Sequence, residues 1–96
     1  MDQDALGRQA RRVAVRGHAE VWARPLADGT VAVGLFNRGR HAALLSASWK
    51  ELGLYGPRPV RNLWTGTEEG LFEKAFRTRV PRHGAVLLKI GAGGDG

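Results

Sequence analysis

The residue types able to do chemistry are few and scattered. Nine carboxylates, three histidines and two serines are spread over 96 residues, and there is no cysteine. Hydrolysis of a glycosidic bond needs two carboxyl groups facing each other across a sugar, about 5–9 Å apart. Here Asp28 belongs to a turn, Glu51 to a helix-capping position, and Asp2, Asp4 and Asp95 to the two ends of the chain. Glu68 and Glu69 are adjacent in a polar stretch, which reads as a solvated loop. His18, His41 and His83 each fall in or beside a turn, at separations matching no zinc-ligand pattern. Ser46 and Ser48 lie on a strand with no G-x-S-x-G elbow, so a serine nucleophile is not expected. Glycines 91, 93, 94 and 96 do not lead a strand into a helix, which excludes a dinucleotide-type phosphate turn. The expectation is a chain with no catalytic residue, no metal site and no cofactor of its own.

Binding is better provided for. Trp22, Trp49, Trp64 and Tyr55 are many large aromatics for so short a chain, and exposed ones can stack on sugar rings or bases. Trp49 shares a strand face with Leu45 and Ala47 and reads as core; Trp22 shares its face with Glu20 and Arg24 and is less settled. Trp22 and Trp64 are the candidate sugar platforms. A net charge of +6, carried by twelve Arg and three Lys, raises nucleic acid as a partner. Arg8, Arg11, Arg12 and Arg16 cluster near the amino end, but the others are spread singly and no ribonucleoprotein motif is present, so nucleic acid is the weakest binding reading.

These residues must be positioned by short strands. One domain of this length buries roughly 60–65% of its unfolded surface. From Val13 the pattern is Val13–Arg16, Glu20–Pro25, Thr30–Arg38, Ala42–Trp49, Val60–Trp64, then Phe72–Val80 and Ala85–Ile90 as a final pair joined by Pro81-Arg82-His83-Gly84. Asp28-Gly29 is the strongest hairpin signal, because a tight turn there needs positive φ. Ser48, Glu51 and Gly53 predict one helical turn with its N-cap and its stop. Thr65–Gly70 reads as a polar loop and residues 91–96 as a flexible Gly-rich tail. Seven to eight short strands with Gly and Pro turns predict an all-β, antiparallel sandwich of Greek-key-like type. No apolar run approaches the ~20 residues of a membrane helix, and Met1–Arg12 lacks a signal-peptide core. As written, the chain is expected in the cytoplasm, without a membrane partner.

Thr30–Arg38 carries apolar residues on both faces: Val31, Val33 and Leu35 on one, Ala32, Gly34 and Phe36 on the other. Such a strand lies in the middle of a packed structure. The second face, Ala32, Gly34 and Phe36, is a surface built to be covered, by the partner sheet or by another module.

Six motifs in order carry a resemblance. They are Asp2-Gln3-Asp4-Ala5-Leu6-Gly7, Glu20-Val21-Trp22-Ala23-Arg24-Pro25-Leu26, Val31 through Arg38, Ser48-Trp49-Lys50-Glu51-Leu52-Gly53-Leu54, Val60-Arg61-Asn62-Leu63-Trp64, and Val80 through Leu88. Together they resemble the carboxy-terminal part of the α-galactosidases (melibiases) of glycoside hydrolase family 27, from Asp2 to about Ile90. The family pattern has Pro where Ala5 stands. The resemblance implies that residues 1–12 correspond to the end of a catalytic (β/α)8 barrel and residues 13–90 to the β-sandwich that follows it. The catalytic aspartates of such enzymes lie upstream of the matched segment, so none is carried over. It also implies a non-catalytic accessory domain that packs against a barrel, in cis or in trans, and stabilises it. The parent activity would be hydrolysis of terminal α-galactosides. Deprived of the barrel, the domain is expected to expose an apolar patch and self-associate. The alternative is a stand-alone carbohydrate-binding module for galactose-containing sugars, using exposed tryptophan.

Overall fold

The computed structural model describes residues 10–91, so the expected barrel remnant lies outside it up to residue 9, and the expected tail from residue 92. Among the described residues, eight strands and one helical turn follow in order: β1 (Arg11–Arg16), β2 (Ala19–Pro25), β3 (Val31–Asn37), β4 (Ala43–Ser48), α1 (Trp49–Leu52), β5 (Arg58–Asn62), β6 (Thr67–Phe72), β7 (Ala75–Val80) and β8 (Ala85–Ile90). All pairings are antiparallel, in a six-stranded sheet ordered β1-β2-β3-β8-β5-β6 and a two-stranded sheet of β4 and β7. The all-β sandwich is as the sequence implied, but its two layers are unequal.

Local chemistry explains the connections. The β2–β3 hairpin closes through Leu26 N donating to Thr30 O at 2.8 Å, with Gly29 at φ +87°. The Asp28 carboxylate accepts from the Thr30 backbone N–H at 3.1 Å and from its hydroxyl at 2.5 Å. At α1 the Ser48 hydroxyl accepts from the Lys50 and Glu51 N–H groups, and Gly53 ends the turn in the left-handed region. The Glu51 carboxylate meets Arg16 of β1, which ties the helical turn to the edge of the large sheet.

Three expectations are corrected. Residues 67–72 form strand β6, not a loop. Among the described residues this strand pairs only with β5 and is exposed along most of its length, so it lacks the apolar alternation that marks a strand. Its Glu68 and Glu69 suit an unpaired edge. Strand β5 begins at Arg58 and ends at Asn62, which leaves Trp64 in the following turn. Finally, β7 and β8 do not pair: β7 joins β4, while β8 lies between β3 and β5. The Pro81–Gly84 corner crosses between sheets and is held to the end of β3, with Asn37 N donating to Gly84 O at 2.9 Å.

The core lies between the sheets. Val21, Val33, Leu35, Val60, Leu88 and Ile90 of the large sheet meet Leu45, Ala47, Trp49, Phe76 and Val80. Phe72 and Phe76 pack edge to face with centroids 5.0 Å apart. The small sheet therefore covers the Val33 and Leu35 side of β3, and Ala32, Gly34 and Phe36 point the other way.

Candidate docking surface

Alternate residues of a strand share a face, so the register determines which side chains meet on the outer side of the large sheet. One row runs Val15, Glu20, Phe36, Ala85 across β1, β2, β3 and β8. The next runs Arg12, Trp22, Gly34, Leu87, and Leu63 follows, its N–H donating to Leu87 O at 2.9 Å. A third runs Arg24, Ala32, Lys89, Arg61. The middle of this face is apolar and concave, a hollow of about 440 Å³ lined by Trp22, Ala32, Gly34, Phe36, Leu63 and Leu87 among others.

Glycine is required at its centre. A Cβ on Gly34 would lie 2.6 Å from Phe36 Cε1 and 3.4 Å from Leu87 Cδ2. The Phe36 ring therefore lies over the bare backbone, an aromatic covering a glycine in a sheet. Any larger residue at 34 lifts that ring.

Polar groups rim the hollow. The Trp22 indole N–H donates to Glu20 Oε1 at 3.0 Å, and Arg38 Nε donates to Glu20 Oε2 at 2.9 Å. Arg12 approaches the same carboxylate at 3.9 Å. On the opposite side Lys89 lies 3.6 Å from Asp28, and Arg61 lies 2.5 Å from Glu68. The bonds from Trp22 and Arg38 hold the Glu20 carboxyl below the usual carboxylate range. A folded pKa below the unfolded one contributes stability that is complete above the unfolded value, about 4.3. That contribution is lost as the pH falls through the folded value. Melting temperatures of the protein and Glu20→Gln should therefore differ by a steady amount from about pH 6 upward and converge once the pH is below the folded Glu20 value.

The structure brings Trp22 together with Ala32, Gly34 and Phe36, which the sequence presented as two separate candidates. Trp22 is half-buried and its N–H is engaged by Glu20, so it forms part of the apolar face. Trp64 stands apart, 64% exposed in a turn whose N–H groups at 64 and 65 are capped by Asn62 Oδ1 at 2.9 and 3.2 Å. Leu63, Leu87 and Arg24 were missed as members of the face. The signal for Leu87 lay in Leu87-Leu88, where adjacent apolar residues put one side chain on each side of β8. Of the amino-end arginines, Arg12 meets Glu20 and Arg16 meets Glu51, whereas Arg77 and Arg79 are exposed on the outer side of β7. Among the described residues no cluster of three His, Asp or Glu could hold a metal ion, and no helix is long and apolar enough to cross a membrane.

The family model of the α-galactosidase C-terminal β-sandwich domain matches residues 16–90. The α-galactosidase of Coffea arabica is 38% identical over 92 residues, covering 94% of this chain and 24% of that protein. The α-galactosidase of Cyamopsis tetragonoloba is 36% identical, over 94% of this chain and 22% of its own length. Among solved structures, α-galactosidase I from Mortierella vinacea superposes with a TM-score of 0.82 at 32% identity, over 88% of this chain and 23% of that one. A β-L-arabinopyranosidase of Geobacillus stearothermophilus gives 0.85 at 28% identity, over 91% of this chain and 20% of its own. The chain thus spans less than a quarter of the length of each of these four proteins.

Proposed function

This chain belongs to the α-galactosidase C-terminal β-sandwich family, and on that premise we propose that it is a non-catalytic accessory domain whose outer sheet face seats a catalytic barrel. The observation that carries this reading is the apolar patch of Trp22, Gly34 and Leu87 with Phe36 from the adjacent row, directed away from the domain's own core. Apolar surface of that kind is removed from water by another layer. A source for such a layer is at hand in the two plant relatives, of which three quarters or more of the length lies outside the matched segment. In this role the domain contributes stability by mass action on the folded barrel and leaves sugar chemistry to it. The likeness to both α-galactosidases and a β-L-arabinopyranosidase supports that division, because the matched segment is common to enzymes named for different sugars.

The test is a chimera in which this chain replaces the matched segment of the Coffea arabica enzyme. The chimera should hydrolyse an aryl α-galactoside, whereas the 96-residue chain alone should not. Phe36→Glu should shorten the chimera's inactivation half-life at elevated temperature at least about tenfold, while shifting the melting temperature of the chain alone by only a few degrees. An unchanged half-life would sink the docking reading. The chain alone should bind a hydrophobic dye and associate at high concentration, and Phe36→Glu should suppress both.

A second reading rests on Trp64, whose exposed indole on an Asn62-capped turn has the setting of a sugar platform. Saturable quenching of tryptophan fluorescence by galactose, removed by Trp64→Ala, would establish it. The accessory-domain reading expects no saturable change.

A further inference from the structure

We propose that Arg24 is the polar anchor of the docking face, and that the barrel surface seated there presents a carboxylate to its guanidinium. The inference rests on the accessory-domain reading and names the chemistry of the partner's side. Five cations surround the hollow: Arg12, Arg24, Arg38, Arg61 and Lys89. Four have a carboxylate of this chain within 4 Å: Arg12 and Arg38 share Glu20, Arg61 has Glu68, and Lys89 has Asp28. Arg24 has none among the described residues, and its Nε is shielded from solvent with no hydrogen-bond partner.

Its position makes that shielding meaningful. Arg24 stands on the outer side of β2 opposite Ala32, and with Ala10, Ala32 and Leu26 it lines the apolar hollow. Small neighbours let the long stem lie along the sheet, bringing the guanidinium into the area that a covering layer would close. A cover of purely apolar residues would bury a charge with nothing opposite it, which is strongly unfavourable. A carboxylate on the cover satisfies both the charge and the planar fork of donors. A backbone carbonyl would satisfy the donors and leave the charge. The chain carries a net +6, and the three carboxylates of the face already stand against its four other cations, so a carboxylate from the covering side is the fitting counterpart.

The experiment uses the chain alone and the Coffea arabica chimera side by side. Arg24→Met keeps the stem and removes the charge, so the chain alone should melt at the same temperature or higher, because an unpartnered buried donor is gone. In the chimera the same change should shorten the inactivation half-life about tenfold or more, as expected for breaking one side of a buried charge pair. Arg24→Gln should behave like Arg24→Met, and Arg24→Lys should retain much of the half-life. A chimera indifferent to Arg24→Met overturns the anchor. Arg24→Gln matching the unaltered chimera overturns the carboxylate in favour of a carbonyl. A clear fall in melting temperature of the chain alone with Arg24→Met places the counter-charge within this chain, and also overturns the inference. Phe36→Glu separates the two levels: if it too leaves the chimera unaffected, the docking face itself is wrong, whereas an effect of Phe36→Glu without one of Arg24→Met removes only the anchor.

Discussion

Trp49→Ala is expected to destabilise the domain by about 4 kcal/mol, the largest effect of any single replacement considered for this chain. Trp49 is 2% exposed at the start of α1 and packs into the core between the sheets. Truncation removes most of an indole's apolar burial and leaves a cavity that a small domain can only partly collapse. It also removes one N–H shared by two backbone carbonyls, Gly56 O and Phe72 O, both at 3.0 Å. Those bonds hold the segment after α1 and the end of β6 against the same ring, and Phe72 in turn packs on Phe76. Folding stability of a domain this size is about 5–10 kcal/mol, so the variant should keep only about 1–6 kcal/mol of it. Urea denaturation followed by circular dichroism measures this. Trp49→Phe should lose a smaller amount, about 1–3 kcal/mol, because it keeps much of the packing and forfeits the N–H. Equal losses in the two variants would mean that the hydrogen bonds, not the packing, dominate.

Asn37→Leu should be nearly as costly, at about 3 kcal/mol. Asn37 is the buried polar residue of the core region, 4% exposed. Its side-chain amide donates to His41 O at 2.8 Å and Val80 O at 3.0 Å, and its oxygen accepts from Gly39 N at 2.8 Å. A leucine of similar volume strands three backbone groups away from one another's reach. These groups belong to the β3 exit, the approach to β4 and the end of β7, so the amide joins the large sheet to both strands of the small one. Asn37→Asp should also fail, with a distinctive pH dependence. A carboxylate facing two carbonyls has its folded pKa raised above the unfolded value of about 3.9, so that variant should gain stability as the pH falls. Melting temperatures of the three proteins between about pH 3 and pH 7 report this. A Leu variant within a few degrees of the parent would show that water satisfies the stranded groups. Both residues bear on function through geometry: they hold the small sheet on the inner side of the large one, leaving the outer face free.

Much of the architecture was legible because it is written in local chemistry. Gly29 had to adopt positive φ, Ser48 and Gly53 had to bound a helical turn, and the alternation of Leu45, Ala47 and Trp49 had to face a core. Strand β6 was illegible for an equally physical reason. An edge strand exposed along most of its length gains its order from backbone pairing with β5, and backbone pairing leaves no hydrophobic period in the side chains. Of the candidate surface, Ala32, Gly34 and Phe36 were visible as the second apolar face of β3. Trp22 read ambiguously because its neighbours on β2, Glu20 and Arg24, are charged. On the folded sheet its decisive neighbours are Gly34 and Leu87, which are remote in the chain.

The strand-rich class, the turn positions and the second apolar face of β3 were already written in the amino-acid order, since each follows from interactions over a few residues. That order also carried the family, through six short motifs. The folded sheet was needed to place β8, not β7, beside β3, to put the small sheet on the Val33 side, and to bring Trp22, Gly34, Phe36 and Leu87 together on the other. Among the described residues it left Arg24 without a carboxylate, while Arg12 and Arg38 share Glu20, Arg61 meets Glu68 and Lys89 meets Asp28. The physical reason is that strand pairing is a contest among distant segments for the same backbone hydrogen bonds. Its outcome depends on which sides can be buried together, a property of the whole chain that no local pattern contains.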